Sequence, residues 1–376
     1  MRIVVLANTA WYLHNFRSNL MRALQDAEYE VIPVSPHDEY VMRLEAAGFT
    51  HREWKVKGAG VNPSEEFLAI YRLYSLLREV RAEVVLSFTP KCNIYGGIAA
   101  RLAGTRIINN VSGLGRAFIE NTPLTSLVMF LYKVVFRWPV KVFFQNEEDQ
   151  QQFISRGLVA PPIVERLPGS GVDLQRFIPS QERGLPSGEG GMVFLLVARL
   201  LWDKGIGEYV EAARIVRSRY PMIRFQLLGF LGIANPAAIS RKQVVAWERE
   251  GIVEYLGSVD DVATVVSEAD CVVLPSYYRE GVPRTLLEAA AMGKPIITTD
   301  TSGCRDTVED KLTGFLCRAK DPADLAEKMF RLIELPIETR LEMGRLGRKK
   351  MEEEFDERIV IGRYLAVIET LRKSTT

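Results

Sequence analysis

Cysteine is scarce and unpatterned. Cys92, Cys271, Cys304 and Cys317 are the only four, with no C-x-x-C pair among them. That excludes a disulfide frame and a zinc knuckle, and it is the usage of a reducing compartment. Neither sign of charge is in excess. The 48 Lys and Arg stand against 47 Asp and Glu, a net charge of +1, so no global field points to nucleic acid. No apolar run reaches the roughly 18 residues of a membrane span. The opening Met1-Arg-Ile-Val-Val-Leu-Ala-Asn8 is too short an apolar run for a signal peptide and reads as a first strand. Neither half carries G-x-G-x-x-G. Asn8-Thr-Ala-Trp11 follows the first strand instead, which argues against a nicotinamide or flavin enzyme. No D-x-D lies at a strand end, so no metal or other cofactor is expected.

What the chain does have is length and alternation. At 376 residues, 47% of them hydrophobic, it predicts two soluble domains. Strands are expected at 2–7, 30–35, 82–87 and 106–110, with helices at 16–26, 39–47, 63–80 and 93–103. The stretch 179–192 is dense in Gly, Pro, Ser and charge and marks a domain boundary. The pattern then restarts, with strands at 193–197, 224–228, 253–256, 271–274 and 295–298. Helices are expected at 207–220, 237–250, 262–269, 284–292, 321–335, 337–354 and 355–373. Strands alternating with helices predict α/β layers with parallel sheets. Two such halves would face each other across a cleft, with ligands at the carboxyl ends of the strands.

Two loops in the second half carry chemistry. In the first, Arg199 leaves a strand end and Lys204 precedes a helix. Two cations there can neutralise a diphosphate without a metal and stabilise the charge on a departing nucleoside diphosphate. Taken alone, they are equally two solvated surface charges. In the second, Glu280 and Gly281 lead to Pro283 at the first turn of a helix, with Glu288 two turns along. A helix start offers N–H groups and a positive dipole end to an anion. A phosphate cradle flanked by two carboxylates suits a nucleotide sugar. Asp260 and Asp261 precede the helix at 262–269, where capping is expected rather than metal binding.

The strings Arg199-Leu-Leu-Trp-Asp-Lys-Gly205 and Glu280-Gly-Val-Pro-Arg-Thr-Leu-Leu-Glu288 resemble the G/A-R-x-x-x-x-K-G and E-x7-E signatures of retaining GT-B glycosyltransferases of family 4. Pro168-Gly-Ser-Gly-Val-Asp-Leu-Gln-Arg-Phe177 and Gly303-Cys-Arg-Asp-Thr-Val308 are similar to further family stretches, with Asp306 in place of the usual Glu. Tyr12-Leu-His-Asn-Phe-Arg17 resembles the branch acting on polyprenyl-diphosphate-linked bacterial glycans, near the N-acetylgalactosaminyltransferase of N-glycan assembly. The resemblance implies a Rossmann-like acceptor domain over 1–180, a nucleotide-sugar domain over 192–355, and a last helix over 356–376 returning to the first domain. Closure of that frame would exclude water. It further implies that Arg199 and Lys204 grip the donor diphosphate, that Glu288 holds the ribose, and that Glu280 faces the donor sugar. Main-chain groups of Gly281, Val282 and Pro283 would line sugar and phosphate. The expected reaction moves a hexose or N-acetylhexosamine from a UDP-sugar to a lipid-linked saccharide with retention and without metal.

Many relatives place a His at the end of a first-domain strand. Here Asn109-Asn-Val-Ser-Gly-Leu-Gly-Arg-Ala-Phe118 has none. Ser112 and Arg116 are therefore acceptor candidates, with His14 expected in the loop after the first strand, and Arg17, Lys91 and Arg101 as cations for an acceptor diphosphate. The stretch 125–144 mixes bulky apolar residues with Lys133, Arg137 and Lys141. It reads either as a peripheral contact with the inner face of a bacterial cytoplasmic membrane or as a buried helix. Two other functions remain open: a UDP-sugar 2-epimerase on the same two-domain frame, and a catalytically silent glycan- or lipid-binding protein.

Overall fold

The computed structural model describes residues 1–56, 62–114, 123–179, 191–233 and 235–374. It divides into two compact units, Met1–Ser170 with Arg358–Thr376, and Gly171–Glu357. The chain thus leaves the first unit at Ser170, and most of the expected 179–192 boundary lies outside the described residues.

The first unit runs β1 (Arg2–Leu6), α1 (Ala10–Asp26), β2 (Glu30–Ser35), α2 (Val41–Ala46), β3 (Arg52–Glu53), α3 (Pro63–Glu79), β4 (Val84–Phe88), α4 (Pro90–Ala103), β5 (Arg106–Val111), α5 (Pro123–Val135), β6 (Lys141–Phe144), α6 (Glu147–Ser155) and β7 (Val164–Arg166). Its parallel sheet has the order β3-β2-β1-β4-β5-β6-β7. Successive side chains of a strand point to opposite faces, and β1 shows the consequence. Ile3 and Val5 join one core layer while Val4 and Leu6 join the other. The order reverses between β1 and β4, the switch point where open α/β sheets bind ligands.

The second unit repeats that plan with β8 (Val193–Val197), α7 (Ile206–Arg219), β9 (Arg224–Leu228), α8 (Arg241–Arg249), β10 (Glu254–Tyr255), α9 (Val262–Glu268), β11 (Cys271–Leu274), α10 (Arg284–Ala291), β12 (Ile296–Thr299), β13 (Gly314–Cys317), α11 (Pro322–Glu334) and α12 (Ile337–Glu354). Its sheet order is β10-β9-β8-β11-β12-β13, so the switch point falls between β8 and β11. Phe194 and Leu196 bury on one face, Leu195 and Val197 on the other. Arg348 of α12 donates to the carbonyls of Phe177 and Ala291, at 2.7 and 2.8 Å, and so caps the end of α10.

The last helix, α13 (Glu357–Lys373), completes the first unit. Val360, Tyr364 and Ile368 are buried. Tyr364 packs edge-on against Phe143 at 4.8 Å, and its hydroxyl accepts from Asn110 at 2.9 Å.

Three expectations are corrected here. The first helix begins at Ala10, not at 16, because Thr9 caps it by accepting the Tyr12 N–H. His14 therefore stands on α1 rather than in a loop. The helix expected at 237–250 begins only at Arg241, where Ser240 caps it. Arg101 lies in the last turn of α4. In a parallel α/β unit that is the end of the helix away from the ligand-binding strand ends.

Candidate active site

The site grows from two neighbouring strands of the second unit. After β8 the chain exposes Arg199, turns through a short 3-10 segment at Trp202–Lys204, and reaches Gly205 at φ +75°. A Cβ on Gly205 would lie 2.0 Å from the Pro275 carbonyl oxygen, so only glycine lets this loop close onto the end of β11. Three hydrogen bonds stitch the two loops together. The Asp203 carbonyl accepts the N–H groups of Tyr277 and Tyr278 at 3.1 and 3.0 Å, and the Ser276 hydroxyl at 3.3 Å.

That stitching delivers Lys204 to Glu280. The ammonium forms an ion pair with Glu280 Oε1, which also accepts the Ser276 hydroxyl at 2.8 Å. Lys204 Nζ further lies 4.9 Å from the centroid of the Tyr278 ring. Both partners are about nine-tenths buried. Gly303, at φ +75°, packs so closely under the loop that a Cβ there would sit 1.7 Å from the Gly281 carbonyl oxygen. Beyond the loop, Pro283 is the N-cap of α10 rather than its first residue and supplies no side-chain cap. The start of α10 thus keeps its dipole end for a ligand. Arg199 pairs with no carboxylate among the described residues, leaving its charge available.

Cations, a helix start and a carboxylate converge at one switch point, as a diphosphate with an attached sugar requires. Comparison with known proteins agrees. The model for glycosyl transferases group 1 matches residues 178–350, and that for glycosyl transferase 4-like proteins matches residues 2–146. The chain is a GT-B glycosyltransferase. It is 29% identical, across 100% of both chains, to the N,N'-diacetylbacillosaminyl-diphospho-undecaprenol alpha-1,3-N-acetylgalactosaminyltransferase of Campylobacter jejuni. It is 27% identical, over 68% of both chains, to the UDP-Gal:alpha-D-GlcNAc-diphosphoundecaprenol alpha-1,3-galactosyltransferase of Escherichia coli. Among solved structures, Anabaena HepE in complex with UDP and glucose matches 99% of this chain and 100% of its own, at TM-score 0.79 and 17% identity. Sucrose-phosphate synthase from Thermosynechococcus elongatus matches 100% of both chains at TM-score 0.79 and 16% identity. These two establish the shared fold.

Within this glycosyltransferase, Glu288 stands on α10, buried, and accepts from Arg284 Nε at 2.8 Å. Burial pushes its carboxyl above the usual carboxylate range, and the charges of Arg284 and Arg176 pull it back. Arg284 has no role in the sequence reading, although its i, i+4 spacing from Glu288 was a readable signal. Ser276 and Tyr278 are likewise additions, and a lone Ser or Tyr after a strand announces nothing. A pH dependence follows. A charged carboxylate is a stronger acceptor of hydroxyl donors than a neutral carboxyl, so if Glu288 holds the ribose, as the resemblance implies, UDP affinity should fall as pH drops through the Glu288 pKa. Arg284→Met removes the nearest opposing charge and moves that fall to higher pH. Calorimetric titration of UDP from pH 5 to 8, a range of roughly physiological acidity, checks this. Coincident curves for the variant and the wild type would show that Arg284 does not support the Glu288 charge.

The first-unit candidates are not brought together in the same way. Ser112 follows β5, half-buried, and Arg116 lies outside the described residues. The His14 ring packs 5.6 Å from Tyr40. Lys91 is held by Glu66 at 2.8 Å, so it is not a free cation for an acceptor. Arg17 is buried to 1% exposure in the core. Asp261 caps α9, accepting from Ala263 N–H and the Thr264 hydroxyl, as capping chemistry requires. Among the described residues no group of three or more His, Cys, Asp or Glu could hold a metal, and no helix is long and apolar enough to cross a membrane.

Proposed function

We propose that this glycosyltransferase moves a hexose or N-acetylhexosamine from a UDP-sugar to a polyprenyl-diphosphate-linked saccharide, with retention and without a metal. The observation that carries the reading is the buried Lys204–Glu280 pair at the second unit's switch point. Arg199 and Lys204 hold the donor diphosphate, assisted by the start of α10. Glu288 accepts the ribose hydroxyls. Glu280 turns to the donor sugar, and the main chain of Gly281, Val282 and Pro283 lines sugar and phosphate. As the glycosidic bond to the diphosphate breaks, charge builds on the phosphate oxygens, where the fixed cations lower the barrier. The acceptor hydroxyl attacks from the same face, and the leaving phosphate takes its proton, so no protein nucleophile is needed.

The acceptor class follows the two bacterial relatives, whose names specify diphospho-undecaprenol saccharides. The donor follows the neighbour crystallised with UDP and glucose. The relatives are transferases, so the epimerase and silent-binder readings are not carried forward. Docking on the inner face of the cytoplasmic membrane fits the first unit's surface. On α5, Tyr132 and Val135 are buried while Leu127, Phe130 and Lys133 face solvent. The α3 face adds exposed Phe67, Leu68 and Tyr71. Exposed apolar side chains, joined on α5 by a lysine, suit an anionic bilayer.

A panel of UDP- and GDP-sugars tests the reading by thermal stabilisation, since a bound ligand raises stability by mass action. Transfer to a polyprenyl-diphosphate saccharide in excess EDTA then tests the chemistry. UDP-sugars alone should stabilise, and transfer should survive chelation. Stabilisation by GDP-sugars only, or transfer lost in EDTA, would contradict it.

A further inference from the structure

The guanidinium of Arg17 is a buried charge with no compensating charge beside it. It occupies the core-facing row of α1 with Leu13, Leu20 and Leu24. Its Nη2 donates to the Tyr12 hydroxyl at 2.9 Å, and its Cζ lies 4.1 Å from the Phe88 ring centroid. Its Nε is buried with no partner, and no carboxylate pairs with it among the described residues. Aromatic faces and one neutral hydroxyl do not replace the hydration a guanidinium loses. A charge left this way is normally exchanged for an apolar side chain without loss of stability, so its presence asks for a functional reason.

Its place supplies one. Phe88 ends β4 at the reversal between β1 and β4, the counterpart in the first unit of the switch point that carries Lys204. Thr89 follows at φ +75°, an unusual conformation for a β-branched residue, and opens the 14-residue helix α4 without a side-chain cap. An uncapped helix start thus follows directly in sequence the residue on which the unpaired guanidinium stacks. Both features favour the same ligand, an anion. Tyr12, the hydrogen-bond partner of Arg17, is half-buried and packs on Phe16 and Phe88 at 5.1 and 6.1 Å between ring centroids, so a ligand reaching the guanidinium must displace its ring from these neighbours.

We propose that Arg17 and the start of α4 form a phosphate-anchoring subsite for the acceptor, reached when Tyr12 swings off the guanidinium. The ligand class is a prenyl diphosphate or its saccharide. The assignment rests on the reading that the first unit binds a lipid-linked acceptor, and it adds the residue that grips the phosphate.

The test uses the full chain saturated with UDP, so that the donor site is already filled. Farnesyl diphosphate should then raise the melting temperature further, inorganic pyrophosphate should do so at higher concentration, and farnesol should not. Arg17→Met should melt at or above the wild-type temperature, because an unpaired buried charge has gone. It should raise the acceptor KM at least tenfold while leaving UDP affinity and kcat near wild type, and Arg17→Lys should recover part of the loss. A variant that melts lower with unchanged acceptor KM makes Arg17 structural and overturns the proposal. Equal stabilisation by farnesol, or none by farnesyl diphosphate on UDP-loaded wild type, overturns it even if the variants do not fold. Loss of UDP binding by the wild type would instead strike the donor reading.

Discussion

Glu280→Gln should cut sugar transfer by about a hundred- to a thousandfold while binding UDP at least as tightly as the wild type. The reason lies in the pairing of the donor-free site. Lys204 spends its charge on Glu280 Oε1, and a diphosphate must compete with that carboxylate for it. The amide keeps the shape and can still bond the Ser276 hydroxyl, but it no longer holds the ammonium. The cation is then released to the phosphate before binding rather than during it, which lowers the cost of binding. Transfer should fall because the carboxylate proposed to face the sugar is gone. Calorimetric UDP titration beside a transfer assay separates the two effects. If affinity and turnover fell together, Glu280 would merely prop the loop.

Lys204→Ala carries the other large effect, and it acts on both stability and function. It removes the counter-ion of a buried carboxylate that also accepts the Ser276 hydroxyl. Removing one partner of a buried pair costs about 3–5 kcal/mol, within the reserve of an ordinary domain, so the fold should persist at a lower melting temperature. Transfer should fall by about a hundredfold or more. Adding Glu280→Gln to Lys204→Ala should restore much of the stability, since the stranded charge disappears, and none of the transfer. If the double variant stayed as unstable as Lys204→Ala, the lost stability would not come from the carboxylate deprived of its cation.

The parts of the site that could be read from the chain are those where chemistry and local spacing coincide. Arg199 and Lys204 bracket one strand-to-helix loop, and Glu280 and Glu288 bracket the next, so both fell out of the alternation of strands and helices. What could not be read is that Lys204 and Glu280, 76 residues apart, are partners. That contact depends on Gly205 closing onto Pro275, a backbone approach that leaves no periodic trace. The Arg284–Glu288 pair is legible as an i, i+4 spacing on one helix. So is the burial of Arg17, since Leu13, Arg17, Leu20 and Leu24 keep helical spacing. A row of apolar residues with one cation in it looks like a helix face, and only the packed core shows that the cation has no carboxylate. The fold was recovered in outline. The two-residue strands β3 and β10 and the three-residue β7 lie at or near sheet edges and are too short to show alternation, and the true start of α1 is set by the Thr9 cap rather than by the apolar spacing that begins at Phe16.

One comparison bears most directly on the claim that Arg199 and Lys204 grip a diphosphate: the ratio of UDP to uridine affinity in the wild type and in Arg199→Ala/Lys204→Ala. Uridine keeps the ribose, proposed to be held by Glu288, and lacks the phosphates. The wild type should prefer UDP by about a hundredfold or more, as two charge-assisted contacts imply, and the variant should bind both ligands with nearly equal, weak affinity. A variant that still prefers UDP by the wild-type ratio would mean that the diphosphate lies elsewhere, and the account of the site would be wrong.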